Sequence, residues 1–132
     1  MKTKKTVLII TDGAGETVKM AEGIAAALKG NKVSVIAASD FKGNDILPAE
    51  AFFLGCENPD PGSFAYLSDL LQHINLAGRP CGIFSPGSGK TAKYLAGLVR
   101  DSEAALSPEP LMGAESGSDI SKWVKKVLSG AI

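Results

Sequence analysis

The chain has 132 residues, of which 45% are hydrophobic and 21% are charged, with 14 basic and 14 acidic residues. This size and composition predict a single folded domain over residues 1–132 that needs no disulfide framework. The formal net charge of zero argues against nucleic acid as a partner. No membrane partner is expected, because no apolar run approaches the roughly 20 residues that cross a bilayer.

Short apolar runs alternate with helical patterns along the chain, which predicts a parallel β-sheet covered by helices on both faces. The predicted strands are residues 6–11, 33–38, 51–56, 80–85 and 110–113. The predicted helices are residues 16–29, 64–76, 91–105 and 119–128, and residues 39–50 form a polar connection. Trp123 falls at core spacing on the last helix, whereas His73 falls off the apolar face of its helix and is expected in solvent.

Sheets of this kind bind ligands beyond the carboxyl ends of their strands, at the point where the strand order reverses. Three segments follow such strand ends and are the candidates for a site. We call them the first loop (residues 11–17), the second loop (residues 56–62) and the third loop (residues 85–90).

The first loop joins a strand to a helix through small residues, an arrangement that presents backbone N–H groups to a phosphate. Gly13, Ala14 and Gly15 add little bulk, and Thr17 offers a hydroxyl. The dinucleotide-binding pattern G-x-G-x-x-G is absent, because position 18 is a valine. A tight turn without any ligand explains the same residues, so both interpretations stay open.

Asp12 and Glu16 give the first loop the wrong charge for an anion. A pair of like charges about 4 Å apart costs about 4 kcal/mol at an effective dielectric constant near 20. The helix N-terminus returns only about 0.3–1 kcal/mol. Asp12 therefore repels a phosphate, turns away to solvent, or caps the N–H groups of the loop and occupies the phosphate position itself.

The third loop ends like a Walker A loop, with Gly89, Lys90 and Thr91 between a strand and a helix. The full motif needs a glycine where this chain has Phe84, which disfavours nucleotide hydrolysis. We expect Lys90 in solvent or beside an anionic ligand. Two acids in the second loop leave a weak divalent-cation site as a minor alternative. Since His73 is the only histidine, no serine has a plausible base, and no catalytic residue is predicted.

The N-terminus is basic and then apolar, like a signal peptide, but its apolar stretch of about four residues is shorter than the roughly 7–15 required. We therefore expect a cytoplasmic protein with reduced cysteines. Cys56 closes the third predicted strand and Cys81 opens the fourth, which places the two thiols on the order of 15 Å apart. Cys81 is expected in the core, whereas Cys56 is either a core residue or a reactive one.

The first loop and its helix resemble the flavodoxin signature at Gly15, Thr17, Ala21 and Ile24. The similarity continues along the chain. FFLGCENPDPG is similar to the third strand and first flavin loop of that family, GIFSPGSG to the fourth strand and second flavin loop, and SKWVKKVLSGAI to the last helix. The resemblance implies a flavodoxin-like three-layer α/β sandwich, with a five-stranded parallel sheet of order 2-1-3-4-5 and helices on both faces.

The resemblance also implies FMN binding and electron transfer with redox partner proteins, by a monomer or weak homodimer that is a carrier or binding protein rather than an enzyme. The residues that it places around the flavin lie in the three loops: Thr11, Asp12, Gly13, Ala14, Gly15, Glu16, Thr17, Cys56, Glu57, Asn58, Pro59, Ser85, Pro86, Gly87, Ser88 and Gly89.

This chain departs from the flavodoxin pattern around the flavin. The loop positions that usually carry hydroxyls are Asp12, Gly13 and Ala14, and neither flavin loop has an aromatic residue to stack on the ring. Tyr94, one helical turn beyond Thr91, is expected to pack inward or over its helix. A cofactor-free interaction or small-ligand-binding module is therefore the alternative, and it predicts loops that satisfy their own N–H groups.

Overall fold

The computed structural model describes residues 6–59, 61–87, 89–107, 109–113 and 117–129. Its strands are β1 (Thr6–Thr11), β2 (Lys32–Ala37), β3 (Ala51–Gly55), β4 (Pro80–Ser85), β5 (Ala105–Leu106) and β6 (Leu111–Met112). Its helices are α1 (Gly15–Ala27), α2 (Gly43–Ile46), α3 (Ala65–Leu71), α4 (Gly89–Arg100) and α5 (Gly117–Ser129), with 3-10 turns at Ala38–Asp40 and Gly62–Phe64. Among these described helices, none has the length and apolar character that a bilayer crossing requires.

The strands form one parallel sheet of order β2-β1-β3-β4-β5, and β6 also pairs with β4. This confirms the predicted strand order. β1 lies beside β3 with Thr11 opposite Gly55, and β3 lies beside β4 with Gly55 opposite Phe84. The strand ends that precede the three loops therefore lie next to one another along one edge of the sheet.

Alternating side chains of the sheet pack into two hydrophobic clusters, one on each face. Val7 and Ile9 of β1 belong to the cluster that includes α1 and α5. Leu8 and Ile10 belong to the other, which includes α3, α4 and the connection that follows β2. The predicted covering of both faces by helices is thus confirmed. Trp123 is a core residue, as predicted, and only 6% of it is exposed.

The strand predicted at residues 110–113 is present as β6, which pairs with the end of β4. The structure adds a strand that the sequence does not predict, because the two residues of β5 pair with the start of β4. The helix predicted over residues 91–105 ends at Arg100. The N–H and the hydroxyl of Ser102 both donate to the carbonyl of Val99, and Glu103 has a positive φ of 63°. The chain therefore turns back and reaches the sheet at Ala105, a residue inside the range predicted as helical.

The connection between β2 and β3 is more ordered than the polar loop that the sequence predicts. It contains a 3-10 turn and the single turn of α2, and it buries the side chains of Phe41 and Ile46. The guanidinium of Arg79 donates to the carbonyls of Ile46, Leu47 and Ala49 at 3.0, 3.0 and 2.9 Å. The last carbonyls of a helix lack partners within it, so this arginine satisfies the end of α2.

The helix predicted over residues 64–76 is shorter than expected, because the 3-10 turn precedes it and α3 ends at Leu71. Leu67 and Leu71 of α3 are buried, and so is Phe64 in the 3-10 turn before it. His73 lies beyond the end of α3 and is exposed, as predicted.

Candidate functional site

Asp12 connects the first loop to the second. Its Oδ1 accepts the N–H of Ala14 at 3.0 Å, and its Oδ2 accepts the N–H of Glu57, 45 residues along the chain, at 2.7 Å. Hydrogen bonds from backbone N–H groups to a carboxylate are charge-assisted and stronger than neutral ones. Of the three arrangements expected for Asp12, the structure has the one in which the carboxylate caps N–H groups of the loops.

Thr11 and Gly13 form the turn that leaves β1. The buried Thr11 accepts the N–H of Gly13 on its Oγ1 at 3.1 Å. Gly13 has a φ of +83°, in the left-handed region that favours glycine. A Cβ atom on Gly13 or Gly15 would meet no atom within 4 Å, so the backbone of the first loop is open at both positions.

The start of α1 presents backbone donors. Its cap residue is Ala14, and no side chain caps this helix end. The first N–H groups of a helix have no partner within the helix, which applies here to Gly15, Glu16 and Thr17. Glu16 is exposed and forms an ion pair with Lys19 at 3.7 Å. An anion at this helix end would therefore find N–H donors and the positive end of the helix dipole.

Thr17 has an unusual environment. Its exposure is 0%, and its Oγ1 has no hydrogen-bond partner within the part of the chain that the structure describes. Because Cα–Cβ bonds in an α-helix tilt toward the helix N-terminus, the side chain of Thr17 leans toward the first loop. A buried hydroxyl without a partner costs about 1–3 kcal/mol. An oxygen of a bound phosphate would supply the missing bond.

Ser85 and Gly87 attach the third loop to the second. The buried hydroxyl of Ser85 donates to the carbonyl of Cys56 at 2.7 Å and accepts the N–H of Gly87 at 2.8 Å. A Cβ atom on Gly87 would collide with the carbonyl oxygen of Glu57, so the two backbones approach this closely only with glycine at position 87. Thr91 donates its hydroxyl to the same carbonyl at 3.3 Å. Thr91 is not among the predicted site residues, although its place directly after the third loop is a usable signal.

Cys56 is a core residue, the first of the two positions expected for it. Its side chain is fully buried, and burial, followed by the negative charge of Asp12, raises its pKa to about 12. Burial also raises the pKa of Cys81. Both cysteines are free. Cys81 is opposite Phe52 in the sheet. Cys56 follows Phe52 by four residues, so the two cysteines are offset along the strands by about 13 Å at the rise of a strand. This agrees with the predicted separation.

The other predicted residues surround these contacts. Asn58, Pro59 and Gly89 are exposed, and Pro86 is partly buried. Ser88 lies outside the described residues. The structure therefore brings the first loop together with the bases of the second and third loops, and it leaves Asn58 and Pro59 at the rim.

Lys90 is exposed to solvent, which is one of the two positions expected for it. The ring of Tyr94 packs inward with its centroid 6.5 Å from that of Phe64, as predicted. Within the described residues, no group of three or more histidine, cysteine or acidic side chains could hold a metal ion.

The site fits the phosphate end of FMN better than its ring end. The phosphate would meet the N–H groups at the start of α1 and the hydroxyl of Thr17, which lacks a partner. At the ring end, no residue described in the second and third loops is aromatic. The N–H group of Glu57 is bonded to Asp12 and that of Gly87 to Ser85. The described residues of these two loops therefore offer a ring backbone groups and non-aromatic side chains.

No family model matches the sequence, and the curated proteins give no match. Solved structures do match. A short-chain flavodoxin associated with a non-canonical PDU bacterial microcompartment has a TM-score of 0.83 and 16% identity, covering 98% of this chain and 100% of that chain. The two-electron reduced flavodoxin of Megasphaera elsdenii has a TM-score of 0.70 and 25% identity, covering 95% and 97%. A mutant Fusobacterium nucleatum flavodoxin bound to flavin mononucleotide has a TM-score of 0.73 and 13% identity, covering 94% and 95%.

Proposed function

This chain has the flavodoxin fold over nearly its whole length, and from that premise we propose that it binds FMN and carries electrons between redox partner proteins. The observation that carries the proposal is the buried hydroxyl of Thr17 at a helix start without a side-chain cap. The structural similarity to a flavodoxin that binds FMN supports the choice of ligand.

In this proposal the start of α1 holds the phosphate. The N–H groups of Gly15, Glu16 and Thr17 donate to its oxygens, as helix N-termini do for anions. The Thr17 hydroxyl donates a further bond, which removes the cost of burying it without a partner. The phosphate thus fixes the position of the ligand at the edge of the sheet.

The second and third loops position the ring. Bonds through Ser85 and Thr91 hold these two loops together, so they form one surface rather than two independent walls. The protein supplies orientation and electrostatics, and the flavin supplies the electron transfer when bound. Stacking of a nucleobase on an aromatic side chain contributes about 1–3 kcal/mol. Since the described residues of these two loops include no aromatic side chain, we expect weaker binding than in flavin sites with aromatic residues.

A second candidate is the cofactor-free module, and one observation favours it. The N–H groups of Gly13, Ala14, Glu57 and Gly87 are all bonded to side chains of the loops themselves, as that interpretation predicts. Such loops keep their shape without a ligand and could present a fixed surface to another protein.

A binding titration separates the two candidates. Purified, flavin-stripped protein is titrated into FMN while quenching of the flavin fluorescence is followed, with riboflavin as the ligand control. We expect saturable binding of FMN that is tighter than that of riboflavin. A hydrogen bond to a charged group contributes about 1.5–3 kcal/mol, so Thr17→Val weakens FMN binding by about 10–100-fold. The matched control, Thr17→Ser, keeps the hydroxyl and most of the affinity.

Two results would contradict the proposal. Absence of quenching by the wild-type protein at high concentration would leave the cofactor-free module. Equal affinity for FMN and riboflavin would mean that the start of α1 does not bind the phosphate.

A further inference from the structure

We propose that Asp12 determines which phosphates the site accepts: its carboxylate acts as the internal anion of the first loop, so that inorganic phosphate is excluded and only a larger phosphate ester displaces it. The inference rests on the proposed function for the position of the phosphate. It goes further by naming a residue that selects the ligand and a class of ligand that is rejected.

The first step is the occupancy of the donors. Asp12 uses one oxygen on Ala14 N–H, within the loop, and the other on Glu57 N–H, in the next loop. A phosphate that reached for the N–H of Ala14 would have to break the first of these bonds. The short 2.7 Å bond to the N–H of Glu57 holds the carboxylate in place even when a phosphate competes for the N–H of Ala14.

The second step is charge. A phosphate at the start of α1 carries negative charge into the loop that contains Asp12, and no described lysine or arginine forms an ion pair with this carboxylate. Like charges that lie within one loop repel strongly wherever their surroundings are partly desolvated. Inorganic phosphate has only the start of α1 and the Thr17 hydroxyl with which to offset this repulsion. A phosphate ester such as FMN has, because the rest of the molecule lies against the second and third loops.

The third step is the connection to those loops. The backbone N–H of Glu57 donates to Asp12, and the backbone carbonyl of the same residue accepts the hydroxyl of Thr91. The same carbonyl is also in close contact with Gly87. Release of Asp12 by a ligand therefore frees the N–H of Glu57, at the base of the surface where the ring would lie. Phosphate and ring positions are thus linked through one carboxylate.

The test uses inorganic phosphate alone, followed through the backbone amide signals in two-dimensional NMR spectra. Wild-type protein is compared with Asp12→Asn, which removes the charge but keeps the shape, and with Asp12→Ser. Glu22→Gln is the matched control, since it removes one exposed carboxylate from α1, the helix that follows the first loop. We expect saturable shifts of the Gly15, Glu16 and Thr17 amides in both Asp12 variants, with phosphate affinity at least about tenfold higher than in wild type. Glu22→Gln should respond like the wild type.

The outcomes distinguish this inference from the proposed function. Wild-type protein that binds inorganic phosphate as tightly as the Asp12 variants would overturn the inference, and so would variants that stay folded and show no response. If the variants bind phosphate but no protein binds FMN, the selection by Asp12 stands and the electron-carrier proposal fails. Hydrogen exchange gives a readout without ligand: the amides of Ala14 and Glu57 should exchange faster in Asp12→Ser than in wild type.

Discussion

Thr17 and Asp12 lie five positions apart in the sequence, and their side-chain oxygens differ in whether they have hydrogen-bond partners. Both carboxylate oxygens of Asp12 accept backbone N–H groups, whereas the hydroxyl of Thr17 is buried without a partner among the described residues. The first arrangement stabilises the ligand-free loop, and the second destabilises it. Burying the Thr17 hydroxyl without a partner costs free energy, and a ligand that accepts a hydrogen bond from it would remove that cost.

Replacement of Thr17 by valine tests this in the ligand-free protein. The change keeps the shape and removes the buried hydroxyl, so we expect the free energy of unfolding in urea to rise by about 1 kcal/mol. Thr11→Val is the matched control, because Thr11 is equally buried but accepts the N–H of Gly13. That variant should lose about 1 kcal/mol. A loss of stability in Thr17→Val equal to that in Thr11→Val would show that the hydroxyl has a partner in solution.

The two cysteines give a pH-dependent prediction. With the pKa of Cys56 raised to about 12 by burial and by Asp12, neither thiol should react with a thiol reagent at pH 8 in the folded protein, and both should react in denaturant. In the unfolded chain this thiol ionises near its ordinary pKa of 9.0. The contribution of Cys56 to stability is therefore complete below about pH 9 and is lost as the pH rises toward about 12. Fast labelling of one thiol in the folded state would contradict the burial of Cys56.

Among the elements, the long helices could be predicted, whereas α2 and β5 could not. The helices α1 and α5 repeat their apolar residues at helical spacing over 13 residues each, which makes the pattern unambiguous. By contrast, α2 has four residues and β5 has two, too few for any period to be visible. These elements form because tertiary contacts stabilise them, and the residues that make those contacts lie elsewhere in the sequence.

Arg79 is such a residue for α2, and its removal tests the dependence. Its guanidinium bonds three carbonyls at the end of that helix, and hydrogen bonds to charged groups contribute about 1.5–3 kcal/mol. We expect Arg79→Ala to lower the free energy of unfolding by at least about 2 kcal/mol, and to increase hydrogen exchange in residues 43–49. Arg100→Ala, an exposed control, should stay within about 0.5 kcal/mol of wild type. Equal effects of the two changes would refute a structural role for Arg79.

At the scale of the whole molecule, the alternation of apolar runs with helical patterns is sufficient to predict a parallel sheet with helices on both faces. Few other architectures bury both faces of a sheet. The loops that follow its strands could be located for the same reason. The hydrogen bonds that these loops make with one another could not be predicted. Whether Asp12 faces solvent or Glu57 depends on the register between β1 and β3, and on how closely Gly87 brings the third loop to the second. Neither is encoded in a local pattern.

The bond between Asp12 and Glu57 has a consequence for the order of folding. It joins residues 45 positions apart, next to strand ends that are neighbours in the sheet although β2 lies between them in the sequence. Contacts of such sequence separation are slow to form, since the intervening chain must first lose its freedom. In refolding followed by pulsed hydrogen exchange, the amide of Glu57 should therefore gain protection no earlier than the amides of β1 and β3. The edge of the sheet where a ligand would bind then forms together with β1 and β3 or after them.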